Sequence, residues 1–276
     1  MDRFDLYEMC VQDVERLGPM LMALHAGGAP SGSGLARQGL VLHEDFAGSA
    51  ALSRWWAARG PGWLAMATEL DGPTLEEARA RLDRQRASPD LAARVEVRHG
   101  DALELDPRAC GPADVVFAGN FSIGYLGTRD KLMAYLRGAQ ERLRPGGILA
   151  VDLYGGASAY ALGGTVRRIE MGDGRAVSVL WRHDAADART ARVVNSLSFR
   201  VLDRGEVTHE LPEAFVYRWR LWGLAELREA MGEAGFASTR VVAGLDCPRE
   251  PLPAGCAETG DDELGADWVA LVIARR

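Results

Sequence analysis

The feature that most constrains this chain is an alternation running through residues 39–153: a short apolar strand, then an amphipathic helix, repeated with short connections. Residues 39–44, 63–68, 94–99, 113–118 and 148–153 read as strands, being short apolar or alternating runs bounded by turn residues. Residues 50–59 read as a helix. A second helix starts near Pro73, whose missing N–H is not needed at a first helical position. Glu76 and Glu77 occupy its first turn and Arg81, Arg84 and Arg86 lie toward its end, complementing the helix dipole. The clearest helix begins behind Thr128 as cap, with Leu132, Leu136, Ala139 and Leu143 on one face and Pro145-Gly146-Gly147 as its stop. Arg142 and Arg144 at its end read as solvated charges. Five such units in a row demand a parallel sheet covered by helices on both faces.

The flanks read differently. Residues 4–25 form an N-terminal helix with Leu6, Met9, Val14, Leu17 and Met20 on or near one face. The Gly/Ser-rich stretch 27–34 is a loop, and no strand precedes Gly32-Ser33-Gly34, so a phosphate-loop reading fails there. Across residues 165–220 the period becomes two, with strands at 176–181 and 193–199 and a hairpin turn at Asp203-Arg204-Gly205. That segment is an antiparallel insertion. A helix returns at 224–234, stopped by Gly235, and two last strands lie near 238–243 and 267–274. The chain reads as one domain: a helical cap and loop (1–38), a core (39–156), the insertion (157–220), and a helix and strand pair completing the sheet (221–276).

Composition narrows the partners. Of 276 residues, 32 are Lys or Arg and 39 are Asp or Glu, a formal charge of −7 that disfavours broad binding of nucleic acid or anionic lipid. No basic end followed by an apolar run marks a secretory signal, and no uncharged apolar stretch spans a bilayer, so a cytoplasmic protein is expected. The four cysteines form no C-x-x-C pair and the histidines supply no ligand pairs, so no metal site is expected and free thiols are the simpler reading. Cys247 and Cys256 flank a Pro-rich loop and are the one candidate pair. The seven tryptophans, Trp55 and Trp56 among them, read as core.

Ligands of open α/β sheets bind beyond the carboxyl ends of the strands. Here those ends read Glu44-Asp45-Phe46-Ala47-Gly48-Ser49-Ala50, then Glu69-Leu70-Asp71, then Gly100-Asp101-Ala102, then Asn120-Phe121-Ser122. With Leu143-Arg144-Pro145-Gly146-Gly147 before the fifth strand, this ordered set resembles the class I S-adenosylmethionine-dependent methyltransferases of small-molecule type. That family opens with an acidic residue and alternating small residues, matched here by Glu44, Phe46, Gly48 and Ala50, of which only Gly48 keeps the glycine. The resemblance implies a Rossmann-like, doubly wound, mostly parallel seven-stranded sheet with an antiparallel insertion after the fifth strand. S-adenosylmethionine is the implied cofactor. Glu69 would accept from its ribose hydroxyls, Asp101 from the adenine amine, and Leu70 and Ala102 would pack on the ring. Glu44, Phe46 and the backbone of Ala47, Gly48 and Ser49 would meet the methionine tail, where small side chains leave room. Asn120 sits toward the methyl group. Tyr7 would fold over the cofactor, and Asn120, Tyr125 and Tyr154 are the catalytic candidates.

A nicotinamide dehydrogenase is the rival, but Phe46 stands where its pyrophosphate needs close backbone approach. Asp71 has a simpler reading as cap of the helix at Pro73. In the insertion, Arg182, His183, Arg200, Tyr217 and Arg218 either face a polar substrate or lie on the solvent side. The insertion is also a candidate homodimer contact. The expected activity is N- or O-methylation of a small molecule. A non-catalytic cofactor-binding protein and a protein or RNA methyltransferase remain as alternatives.

Overall fold

The computed structural model describes residues 1–27, 39–85, 89–243 and 264–276. Two short helices open the chain, α1 (Arg3–Cys10) and α2 (Val14–Ala26). Strands and helices then alternate: β1 (Val41–Asp45), α3 (Ala51–Ala57), β2 (Leu64–Glu69), α4 (Gly72–Arg84), α5 (Pro89–Ala92), β3 (Val95–His99), α6 (Pro107–Cys110), β4 (Ala113–Ala118), α7 (Arg129–Arg142) and β5 (Leu143–Gly156). The insertion contributes β6 (Gly163–Glu170), β7 (Arg175–Asp187), β8 (Arg192–Asp203) and β9 (Glu206–Arg220). α8 (Leu224–Glu233), β10 (Ser238–Ala243) and β11 (Asp267–Arg275) follow, and single 3-10 turns lie at Ser122–Tyr125 and Ala157–Tyr160.

The main sheet has seven strands in the order β10-β11-β5-β4-β1-β2-β3. All its pairings are parallel except those of β11, which runs antiparallel to both β5 and β10. The order reverses between β1 and β4, so the crevice of this doubly wound sheet opens above those two strands. Side chains alternate between two cores. Leu42, Phe117, Ala150 and Leu271 pack with Leu21, Leu24, Leu52 and Trp56 of α2 and α3. Val116, Leu149, Val151 and Val272 pack with Leu132, Leu136, Leu227 and Met231 of α7 and α8. Gly18 lets α2 close on α3, because a Cβ there would stand 2.0 Å from the Trp55 ring.

The insertion forms its own antiparallel sheet, β6-β7-β8-β9. Its turn at Arg204-Gly205 takes two left-handed residues (φ 50° and 92°), the conformation of a tight hairpin. Val177, Val179, Leu197 and Phe199 pack against Leu6 and Cys10 of α1, so α1 bridges the two sheets.

Two expectations are corrected. The helix at 4–25 is two helices, because the exposed Asp13 caps α2 by accepting from the Arg16 N–H at 3.1 Å and so starts a second run. Arg142 is no solvated charge: it is 1% exposed and makes a bidentate pair with buried Asp45 (3.0 and 2.6 Å). Tyr135 donates to the same carboxylate at 2.9 Å. Arg144 pairs with Asp114 at 2.5 Å. Helical phase alone could not show that a residue at the end of α7 turns under the sheet. Among the described residues no helix is long and apolar enough to cross a membrane. Cys10 and Cys110 are free thiols, while Cys247, Cys256 and the stretch 28–38 lie outside the described residues.

Candidate functional site

A cavity of about 850 Å³ opens at the carboxyl ends of β1 to β4, roofed by α1 and β9. The loop after β1 shapes it. Phe46, Gly48 and Ala50 all have left-handed backbone (φ 56°, 57° and 58°), so the chain makes one alternating turn with only one glycine. Left-handed geometry costs a residue with a side chain roughly 1–2 kcal/mol. That cost is offset locally: the Phe46 ring packs against Tyr135 at 5.8 Å and Ala50 is buried. Above Gly48 the space is open, with no atom within 4 Å of where a Cβ would stand. The Ala47 N–H donates to the Thr68 carbonyl at 2.9 Å, which ties the turn to β2.

Glu69 stands at the end of β2. Its carboxylate accepts from the Gly48 N–H at 2.8 Å and the Asp71 N–H at 2.9 Å, one to each oxygen. The Leu70 N–H also acts on this carboxylate, and its remaining acceptor capacity faces the cavity. Burial pushes Glu69 above the usual carboxylate range, against the pull of those amides. Asp101 follows β3 and uses one oxygen to accept from the Leu103 N–H at 2.9 Å. Leu70 is 60% exposed at the mouth, a large apolar side chain left for a ligand to cover. Asp71 caps α4, as expected, accepting from the Thr74 N–H at 3.0 Å and its hydroxyl at 2.6 Å. Two further polar atoms wait on the wall: Ser49 Oγ and Thr68 Oγ1 are buried without a partner.

At the end of β4, Asn120 and Phe121 are both left-handed (φ 56° and 59°). Asp152 of β5 holds them there, accepting the Asn120 N–H at 2.8 Å and the Phe121 N–H at 2.7 Å. Burial lifts the Asp152 pKa to about 6. Sequence reasoning missed Asp152, although a charge inside the apolar run 148–153 was the available signal. It also missed Gln12 and, from β9, Phe215.

The structure brings Tyr7, Phe46, Gly48, Ser49, Glu69, Leu70, Asp101, Ala102, Asn120 and Tyr125 to this one cavity. Three expected residues stand apart. Glu44 is 4% exposed and turns to the α3 side of the sheet, where Ser53 donates to it through N–H (2.8 Å) and hydroxyl (2.6 Å). The Ala47 side chain packs in the core with Ala50, Ala67 and Ala78. Tyr154 is drawn under the insertion, where its hydroxyl accepts from Asn195 at 2.7 Å and its ring packs on Phe121 at 4.8 Å. Burial pushes its pKa to about 12, so it stays protonated near neutrality. Of the insertion residues proposed to face a substrate, only Tyr217 lines the cavity. Arg182 pairs with Asp184 and Glu213, and Arg200 with Glu210.

No protein-family model matches this chain, and no curated protein matches it in sequence. Solved structures do match in shape. CalS10, an amino pentose methyltransferase from Micromonospora echinaspora with S-adenosylmethionine bound, is 19% identical, with TM-score 0.63 over 95% of this chain and 90% of that one. DesVI from Streptomyces venezuelae is 19% identical, with TM-score 0.66 over 99% and 98%. The sugar N-methyltransferase KedS8 from a Streptoalloteichus species is 17% identical, with TM-score 0.65 over 99% and 92%. The chain therefore has the class I methyltransferase fold.

Proposed function

We propose that this chain is an enzyme that binds S-adenosylmethionine in the cavity above β1 to β4 and transfers its methyl group to a small-molecule acceptor. One observation carries the reading: the Glu69 carboxylate, pinned by the Gly48 amide, faces a cavity whose remaining polar groups match that cofactor. The fit is specific. Glu69 turns its remaining acceptor capacity toward the ribose hydroxyls. The second oxygen of Asp101 is placed to accept from the adenine amine, with Leu70 and Ala102 beside the ring. The open space over Gly48 and the unpartnered Ser49 hydroxyl suit the polar tail.

When bound, the cofactor supplies an already activated methyl group on a sulfonium. The protein's work is then positioning and exclusion of water. Glu69 and the turn at Phe46 to Ala50 fix the donor end. Asn120, held by Asp152, fixes the end of β4 toward the methyl group. α1 and β9 close the roof, with Tyr7 packed on Phe215 at 4.9 Å. Tyr125 stands half exposed at the mouth, where its phenol O–H offers a hydrogen-bond donor.

Calorimetry with S-adenosylmethionine and S-adenosylhomocysteine tests the reading. Glu69→Ala and Asp101→Ala should each weaken binding about 10- to 100-fold, the scale of a hydrogen bond to a charged group. No binding by the intact chain, or unchanged binding in both variants, sinks it. A labelled-donor screen against metabolite and macromolecule fractions separates small-molecule transfer from the alternatives: a binding protein gives no product, and a macromolecular methyltransferase labels the other fraction.

A further inference from the structure

A second cavity, of about 750 Å³, adjoins the first on the α2 and α3 side of the sheet. Glu44, Phe117, Asp152 and Leu271 reach it from four neighbouring strands, β1, β4, β5 and β11. The α1–α2 connection and β6 cover it, through residues such as Val11 and Ile169. Gln12 and Asn120 line both cavities, and they alone do so. The two spaces therefore meet at one waist, at the carboxyl end of β4.

We propose that the second cavity is the acceptor site, and that it takes an amine whose ammonium group is held by the Glu44 carboxylate and the Gln12 side-chain carbonyl. The proposal rests on the first cavity holding the cofactor, and it places donor and acceptor on opposite sides of the waist.

Three observations carry it. Gln12 Oε1 is buried and has no hydrogen-bond partner, so it asks for a donor. Both hydrogen bonds that reach Glu44 go to Oε2, and among the described residues none goes to Oε1. The charges that reach Glu44 from behind are Arg54 and Glu8, which are paired with each other at 2.6 Å, so the buried carboxylate has room for a cation of its own and favours an ammonium over a neutral hydroxyl. The other charges around the cavity are Asp13, Arg16, Asp152, Arg167 and Arg168. Asp13 caps α2, and both oxygens of Asp152 are taken by amides. Arg167 donates to the Cys10 carbonyl and Arg168 pairs with Glu170 at 2.6 Å.

The cofactor's own ammonium is the competing occupant. Against it, the groups that fit the cofactor (Gly48, Ser49, Glu69 and Asp101) all lie in the first cavity. The second is nearly as large and could hold a whole small molecule with an apolar body. The proton balance also closes. The bound ammonium gives one proton to Glu44, whose pKa burial lifts to about 7, and becomes a neutral amine. Its lone pair then forms the new N–C bond as the S–C bond breaks. That bonding pair stays on sulfur, leaving a thioether and a methylated ammonium.

Cyclohexylamine and cyclohexanol, one charged and one neutral with the same body, are the probes, titrated by NMR into the chain with and without S-adenosylhomocysteine. The amine should bind at least tenfold tighter than the alcohol, without displacing S-adenosylhomocysteine. Glu44→Gln, which keeps an acceptor for Ser53, should abolish that preference. Ile169→Trp, which fills the cavity, should block both probes while S-adenosylhomocysteine affinity stays within twofold. Equal binding of amine and alcohol overturns the proposal. So does competition between the amine and S-adenosylhomocysteine, or loss of S-adenosylhomocysteine affinity in Glu44→Gln. Failure of S-adenosylhomocysteine to bind at all sinks the cofactor reading instead, and the probes still report on the second cavity alone.

Discussion

Phe46 and Ala50 sit where the resembled family keeps glycines, yet both adopt the backbone that glycine favours. The conformation survives because Ala50 is buried and the half-buried Phe46 ring packs on Tyr135, so a one-glycine motif still makes the turn. Beneath it lies the Asp45–Arg142 pair. Removing one partner of a buried pair strands the other charge, at about 3–5 kcal/mol, whereas replacing both with apolar residues is far milder. Arg142→Met and Asp45→Leu should each lower the urea midpoint of unfolding sharply, and the double variant should recover most of the loss. Additive losses would show that the pair is not coupled. Beside it, His43 is 1% exposed, and burial with the Arg142 charge lowers its pKa from 6.5 to about 4. The unfolded chain therefore takes up a proton that the folded chain refuses, and stability is lost as pH falls from 6.5 through 4. Glu44 acts in the opposite sense. Burial raises its pKa from 4.5 to about 7, so its contribution is present below 4.5 and lost as pH rises through 7. Each effect is on the order of 3 kcal/mol. Stability curves of His43→Gln and Glu44→Gln should flatten the acid and the neutral flank respectively.

At the scale of elements, the hinge of the site is the junction of β4 and β5. Asp152 is the one acceptor for two successive amides in left-handed backbone. Leaving both amides without a partner should cost about 2–5 kcal/mol in Asp152→Ala, with Asp152→Asn intermediate because one carbonyl oxygen remains. Equilibrium unfolding measures this, and an Asn variant as weak as the Ala variant would show that the amides find other partners. The elements themselves were legible early. The parallel strands announced themselves by apolar runs, and the insertion by its change of period to two. The break at Asp13 was not, because an apolar stripe continues across it and only the side chain's cap on the Arg16 amide starts a second run.

Across the whole molecule, α1 is the strap between the two sheets. One face, Leu6 and Cys10, packs on the insertion. The other sets Asp5 and Glu8 against Arg81 of α4 (2.8 and 3.6 Å) and Glu8 against Arg54 of α3 (2.6 Å). These pairs close the cavity roof from the core side. Arg81→Met should speed hydrogen exchange in α1 and weaken S-adenosylhomocysteine binding several-fold. The global unfolding midpoint should also fall, though less than for Arg142→Met, because Arg81 is buried while its carboxylate partners are partly exposed. Unchanged exchange in α1 would show that the apolar face alone holds the strap. The sequence by itself determined the order of elements, the parallel core, the antiparallel insertion and the strand-end positions of Glu69, Asp101 and Asn120. These follow from local periodicity and from the rule that ligands meet parallel strands at their carboxyl ends. Only the tertiary structure decided which way each side chain turned at those ends. Neighbouring residues on a strand face opposite sides, so Glu44 went to one cavity, Asp45 to a buried ion pair and Asp152 to the β4 turn. Burial and partners across the sheet, which no linear pattern encodes, set those three fates.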